Sequence, residues 1–180
     1  MAMFGSFLAL SNVIFRRSTE VSEMENQGSW LQFVPFGFGL AATLLEGGSE
    51  DVGDLLSVSA LSTLATGFLK GIVHERRPNG NLHSFPSGHT TFAVAGAAFL
   101  QERYGWTYGV PAFAVASFVA YSRVRADKHW WHDVAAGAAV AIGINTMFTE
   151  VYVGELGGGR LSLGTVLTEE MMGVAARIDF

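Results

Sequence analysis

The chain has no cysteine. That removes disulfide staples, thiolate metal sites and a cysteine nucleophile, and it leaves the redox compartment open. Charge is scarce as well: Asp, Glu, Lys and Arg make up 15% of the 180 residues, against 49% hydrophobic residues. With a mean hydropathy of +0.32, this composition departs from that of soluble domains and fits a membrane or membrane-surface protein. Positive charge is short too, 11 Lys and Arg against 16 Asp and Glu, for a net charge of -5. No overall basic field attracts nucleic acid, so nucleic acid is not an expected partner and the few cations must act locally. The opening MAMFGSFLALSNVIFRR has no basic region ahead of its apolar stretch and no small-residue cleavage site behind it, so it does not read as a cleaved signal peptide. Arg16 and Arg17, which close it, suit a cytoplasmic membrane surface.

Long apolar runs are also missing. Apolar stretches fall at 2 to 15, 30 to 45, 55 to 73, 90 to 100, 106 to 121 and 134 to 148, most of them shorter than the roughly 20 residues that cross a bilayer. They predict one all-α domain over residues 1–150, a six-helix bundle embedded in a membrane. A soluble bundle with helices buried all round is the alternative. Gly67 with Gly71, Ala93 with Ala97 and Ala139 with Gly143 recur at helical spacing, which lets helices approach closely. Residues 18–29 read as a loop and 47–51 as a turn before a new helix, neither carrying a chemical motif. Beyond 150, a glycine cluster precedes partial period-two alternation, with Val174, Ala176, Ile178 and Phe180 on one side. This predicts a Gly-rich tail over 151–180, irregular or β-like.

Three polar clusters interrupt this apolar chain, each where an apolar stretch begins or ends. The first is Lys70 followed by Arg76, Arg77 and Pro78. Arg77 can grip phosphate oxygens with a planar two-pronged contact and Lys70 as a point charge; alone, the cluster is an ordinary basic helix end. The second is Pro86-Ser87-Gly88-His89. Ser87 is a natural N-cap, the unpaired N–H groups of the following helix start suit an anion, and Gly88 lets the backbone come close. His89 beside a bound anion can protonate a departing alkoxide. The third is Ser122-Arg123 with His129 and Asp133. If a helix runs from 129 to 148, His129 and Asp133 are one turn apart on one face. The carboxylate then fixes one ring nitrogen and leaves the other as a nucleophile. Each cluster alone has a structural explanation; three in order do not share one.

Together, Lys70 with Arg77-Pro78, Pro86-Ser87-Gly88-His89 and Ser122-Arg123 with His129 and Asp133 resemble, in residue and spacing, the three-part signature of type-2 phosphatidic acid phosphatases. That family includes bacterial non-specific acid phosphatases and shares its anion site with vanadium haloperoxidases. The motifs cover residues 70–133, and the helical pattern extends the likeness to about 2–150. The resemblance implies that Lys70, Arg77 and Arg123 bind phosphate with Ser87 and Gly88. It further implies that His129 attacks phosphorus, Asp133 orients it, and His89 serves as acid and then base, with no metal or other cofactor. It implies a lipid phosphate substrate: phosphatidic acid, phosphatidylglycerophosphate, an isoprenoid pyrophosphate or a lipid A phosphate. It also implies a multi-pass protein whose active end faces away from the cytoplasm, towards the periplasm or exterior. A vanadium haloperoxidase and a non-enzymatic lipid-phosphate binder are the rival readings. A zinc site from His74, Glu75, His83, His129 and His132 is a competing use of the same side chains. Trp130 and Trp131 are expected as interfacial anchors or acyl-chain walls, and His83 at the mouth of the pocket.

Overall fold

The computed structural model describes the backbone of residues 2–46, 49–148, 151–156, 159–167 and 172–179, with side chains at 17–46 and 51–148. Six helices lead the chain: α1 (Ala2–Leu31), α2 (Val34–Glu46), α3 (Ser49–Ile72), α4 (Gly88–Tyr104), α5 (Trp106–Arg125) and α6 (Trp131–Phe148). Three strands follow, β1 (Val151–Leu156), β2 (Gly159–Leu167) and β3 (Met172–Asp179), in an antiparallel sheet of order β1-β2-β3. The six-helix expectation and the β-like tail are both met. Val174, Ala176 and Ile178 pair with Thr165, Leu163 and Leu161, while Phe180 and the Gly47-Gly48 turn lie outside the described residues.

One expectation is corrected. Residues 18–29 are not a loop but the continuation of α1. The stretch has no Pro and carries three Glu with one Met and one Gln, residues that favour helix, so polarity here marks an exposed helix face.

α4 is the central helix, packed against α2, α3, α5 and α6. Its sequence explains this position, because Ala93, Ala95, Ala97 and Ala98 are all buried and their small side chains let four neighbours approach. At Gly96 an added Cβ would stand 2.7 Å from the backbone N of Phe36, and at Gly137 it would stand 2.7 Å from the carbonyl oxygen of Ser87. These two glycines set the α2–α4 and α4–α6 distances. Gly67, Gly71 and Gly143, by contrast, face nothing within 4 Å, so the helical spacing of small residues overcounts the close contacts. Gly105 ends α4 and begins α5 at φ +81°, a left-handed conformation that glycine adopts without a Cβ clash.

The bundle is apolar outside and partly polar inside. On α3 the buried positions include Ser59, Ser62 and Thr66, while Leu56, Leu64 and Phe68 are exposed. Two helical stretches, Arg17–Glu46 and Asp51–Ile72, are long and apolar enough to cross a membrane. An exterior of leucine and phenylalanine over an interior of serine, threonine and alanine is the arrangement that lipid, not water, stabilises.

Candidate active site

The C-terminal ends of α3 and α5 and the N-terminal ends of α4 and α6 meet at one end of the bundle. Antiparallel packing therefore brings together three clusters that are distant in sequence. Backbone hydrogen bonds tie them: Ser87 N–H donates to Asp133 O at 3.0 Å, and Asn79 N–H to Asp127 O at 3.1 Å. The indole Nε1 of Trp130 donates to Arg76 O at 2.9 Å, so this Trp joins the first cluster to the third.

His129 lies just ahead of α6, in the short segment after Arg125, and is 3% exposed. Its Nδ1 stands 3.4 Å from Asp133 Oδ2. Asp133, in the first turn of α6, is itself held: Oδ2 accepts from Ser84 Oγ and from the backbone N–H of Trp130 at 2.8 Å. At 3.4 Å the Nδ1–Oδ2 approach is longer than a hydrogen bond, and Nδ1 has no hydrogen-bond partner among the described residues. A carboxylate held by two donors is placed to orient the ring as Nδ1 closes on it, which would leave Nε2 as the free nitrogen. Ser84 was not legible as a site residue in the sequence, because only the folded loop brings it to Asp133.

The cations are held from several sides. Lys70, in the last turn of α3, donates to the carbonyls of His83 at 3.1 Å and Ser84 at 3.3 Å. His83 adopts φ +62°, and an ammonium has a third proton to offer an anion. His83 Nδ1 meets Lys70 O at 3.1 Å, so His83 braces Lys70. Arg77 Nε is buried and makes no hydrogen bond among the described residues. Arg123 is 3% exposed and is gripped by α1: Nη1 donates to Ser29 Oγ at 3.1 Å and Nη2 to Glu25 O, while Nε reaches Ser122 Oγ at 3.1 Å. A Cβ on Gly28 would stand 1.9 Å from Ser122 Oγ. The polar stretch that carried no motif in the sequence is thus the clasp on Arg123.

Ser87 occupies the N-cap position of α4, but its hydroxyl makes no capping bond to the backbone. It pairs instead with Thr90 Oγ1 at 3.0 Å. At Gly88 an added Cβ would meet Thr66 Cγ2 at 3.8 Å and Lys70 Cε at 4.0 Å, ordinary contact distances. Protein packing does not demand glycine here, whereas an anion lying on the backbone would.

The surroundings hold both histidines neutral. Burial, then the charges of Lys70 and Arg77, lower His129 from 6.5 to about 4 against the opposing pull of Asp133. Burial, then Arg123, Arg77 and Lys70, lower His89 to about 4. The five residues of the competing metal arrangement fall into separate groups. The ring of His74 lies against that of His83 with centroids 5.6 Å apart. Glu75, His132 and Asp133 do lie together, but His132 Nε2 is already bonded to Glu75 Oε1 at 2.7 Å.

Residues 51–155, more than half of the chain, match the PAP2 superfamily. The chain belongs to the PAP2 superfamily. It is 36% identical over 126 residues to the lipid A 1-phosphatase of Porphyromonas gingivalis, a match covering 67% of this chain and 26% of that much longer protein. It is 29% identical over 164 residues to the lipid A 4'-phosphatase of Helicobacter pylori, covering 82% of this chain and 83% of that protein. Among solved structures it resembles Aquifex aeolicus LpxE, with a TM-score of 0.57 and 25% identity over 70% of this chain and 81% of that one. It shares the fold of the transmembrane PAP2-type phosphatidylglycerolphosphate phosphatase from Bacillus subtilis, with a TM-score of 0.54 and 22% identity over 72% of this chain and 73% of that one. With its apolar exterior, this PAP2 chain is a membrane protein.

Proposed function

We propose that this PAP2 chain is a phosphatase that hydrolyses a phosphomonoester of a lipid of the lipid A class through a phosphohistidine at His129. The carrying observation is the pairing of a buried, neutral His129 with a doubly anchored Asp133 beside Lys70 and Arg77. Binding an anion needs only the cations and N–H groups; an oriented imidazole adds the capacity to react. The lipid A class is supported by the names of both relatives.

In the first step His129 Nε2 forms a bond to phosphorus as the bond to the leaving oxygen breaks, and His89 donates a proton to that oxygen. In the second, His89 takes a proton from water as its oxygen attacks phosphorus, and the N–P bond breaks to release inorganic phosphate. Lys70, Arg77 and Arg123, with Ser87 Oγ and the Gly88 N–H, meet the charge on the phosphoryl oxygens. This triple cation supplies the stabilisation that a metal ion supplies elsewhere. A neutral His89 cannot serve as acid, so the substrate is part of the mechanism: its negative charge offsets the three cations and draws a proton onto His89.

The domain proper is residues 1–150 and the sheet of 151–180 an appendage to it. The chain crosses the membrane more than once, with the catalytic end facing the periplasm or exterior. The test is phosphate release in EDTA from lipid A phosphates, phosphatidic acid, phosphatidylglycerophosphate and an isoprenoid pyrophosphate, comparing wild type with folded His129→Ala. Release by wild type and loss in the variant support the reading, and preference for lipid A phosphates supports the class. Equal release by both removes His129 as nucleophile.

A further inference from the structure

Beside the catalytic end lies a groove that uses none of the catalytic groups. α5 and α6 each pack along α4 but scarcely touch one another, and a cavity of about 350 Å³ occupies the gap. Thr90 and Val94 of α4 form its floor, with Ala116 and Ala120 of α5 and Ala135 and Ala138 of α6 in its walls. Small side chains on both walls keep it open. Along α6 it runs from Trp131 to Ile142, about 16 Å at the rise of 1.5 Å per helical residue.

Its upper end joins the site. Thr90 Oγ1 is 3.0 Å from Ser87 Oγ, and Val134 follows Asp133 in the chain. Among the described residues no charged side chain lines the groove. Across Trp131, a larger depression of about 790 Å³ is lined by Arg17, Glu25, Arg125 and Asp127, groups that hydrocarbon would strip of water. Trp131 thus divides a charged surface from an apolar one, and a molecule with a phosphate head and a hydrocarbon tail fits one side of it. We propose that the groove between α5 and α6 holds one acyl chain of the substrate while its phosphate lies at Ser87 and Gly88. The inference rests on the phosphatase reading.

A tail leaving a bilayer for this groove gains little from the hydrophobic effect, because lipid tails are as apolar as its walls. The test therefore uses water-soluble esters, monoalkyl phosphates from methyl to octyl, with the full chain in one detergent. Wild-type kcat/KM is expected to rise with chain length, by up to about fourfold per methylene taken from water. Ala120→Leu and Ala138→Leu, on opposite walls, should match wild type on methyl phosphate and lose the rise on longer esters. Partition into detergent is common to all the proteins, so the difference in slope reports the groove. An unchanged slope in the folded variants overturns the proposal. Should both leucine variants fail to fold, Ile142→Ala opens the far end and should carry the rise to longer esters; no extension overturns it equally. Wild type that releases no phosphate from any ester sinks the phosphatase reading and this inference with it. Activity with one common slope sinks the groove alone.

Discussion

His129 Nδ1 stands 3.4 Å from Asp133 Oδ2, and that same carboxylate oxygen also accepts from Ser84 and from the Trp130 backbone. In the proposed mechanism Asp133 is therefore a positioning residue, with its own support from Ser84 and Trp130. Asp133→Asn should lower kcat by roughly 10³- to 10⁴-fold, the scale of losing an orienting carboxylate, while phosphate still binds. Ser84→Ala should lower kcat by about tenfold, on the order of one lost hydrogen bond to a charged group. Steady-state phosphate release with a separate vanadate-binding titration checks both.

The proposed mechanism gives the two imidazoles separable tasks. With an aryl phosphate, whose leaving group needs no proton, His89→Gln should still phosphorylate His129 but hydrolyse the adduct slowly. One equivalent of phenol per enzyme in a burst, with an alkali-stable phosphoenzyme, is the expected result. Absence of both would reassign His89.

Proton uptake follows from the electrostatics. His89 is held at about 4 by burial and the cations around it, and a bound dianion offsets those cations. Between that value and the ordinary one near 6.5, binding of inorganic phosphate should take up a proton. Calorimetry in buffers of different ionisation heat measures it, and His89→Gln should abolish the uptake attributed to this ring.

Acid stability of the free protein has a definite sign. Both His89 and His129 have folded values of about 4, below their unfolded value near 6.5. Above 6.5 neither state binds the proton and nothing is lost; as pH falls from 6.5 towards 4 the unfolded chain binds protons that the folded one does not, so stability declines. Thermal melts without phosphate should show that decline, and His129→Asn should reduce it.

Two glycines distinguish packing from mere helix content. A Cβ at Gly137 would meet Ser87 O at 2.7 Å, whereas at Gly143 it meets nothing within 4 Å. Gly137→Ala should destabilise by about 1–3 kcal/mol through overpacking and reduce kcat as α6 shifts His129 away from Ser87. Gly143→Ala should leave activity intact and stabilise by about 0.5–1 kcal/mol. Denaturation midpoints and turnover of the two variants decide it.

Much of the site was legible because its chemistry is written locally. His129 and Asp133 are four residues apart, but α6 begins only at Trp131, so the helix expected from residue 129 starts two residues late and the segment ahead of α6, held by Arg123 O, is what turns His129 towards Asp133. Ser87 occupies the N-cap position of α4 and Gly88 opens it, where unpaired N–H groups are a property of any helix start. The pattern of apolar stretches likewise reported the helices, since a buried helix must be apolar or small along most of its length. It failed at residues 18–29, where one face of α1 is exposed and polar sequence mimics a loop.

The sequence by itself determined which candidate groups the chain offers for the proposed chemistry, because side-chain chemistry and local motif order need no tertiary contact. The tertiary structure alone decided that Glu25 and Ser29 grip Arg123, that Ser84 anchors Asp133, and that α5 and α6 part over α4. Those outcomes depend on how closely helices approach, which is set by single glycines and alanines meeting across the bundle, and a pairing between distant positions has no period for a linear reading to detect.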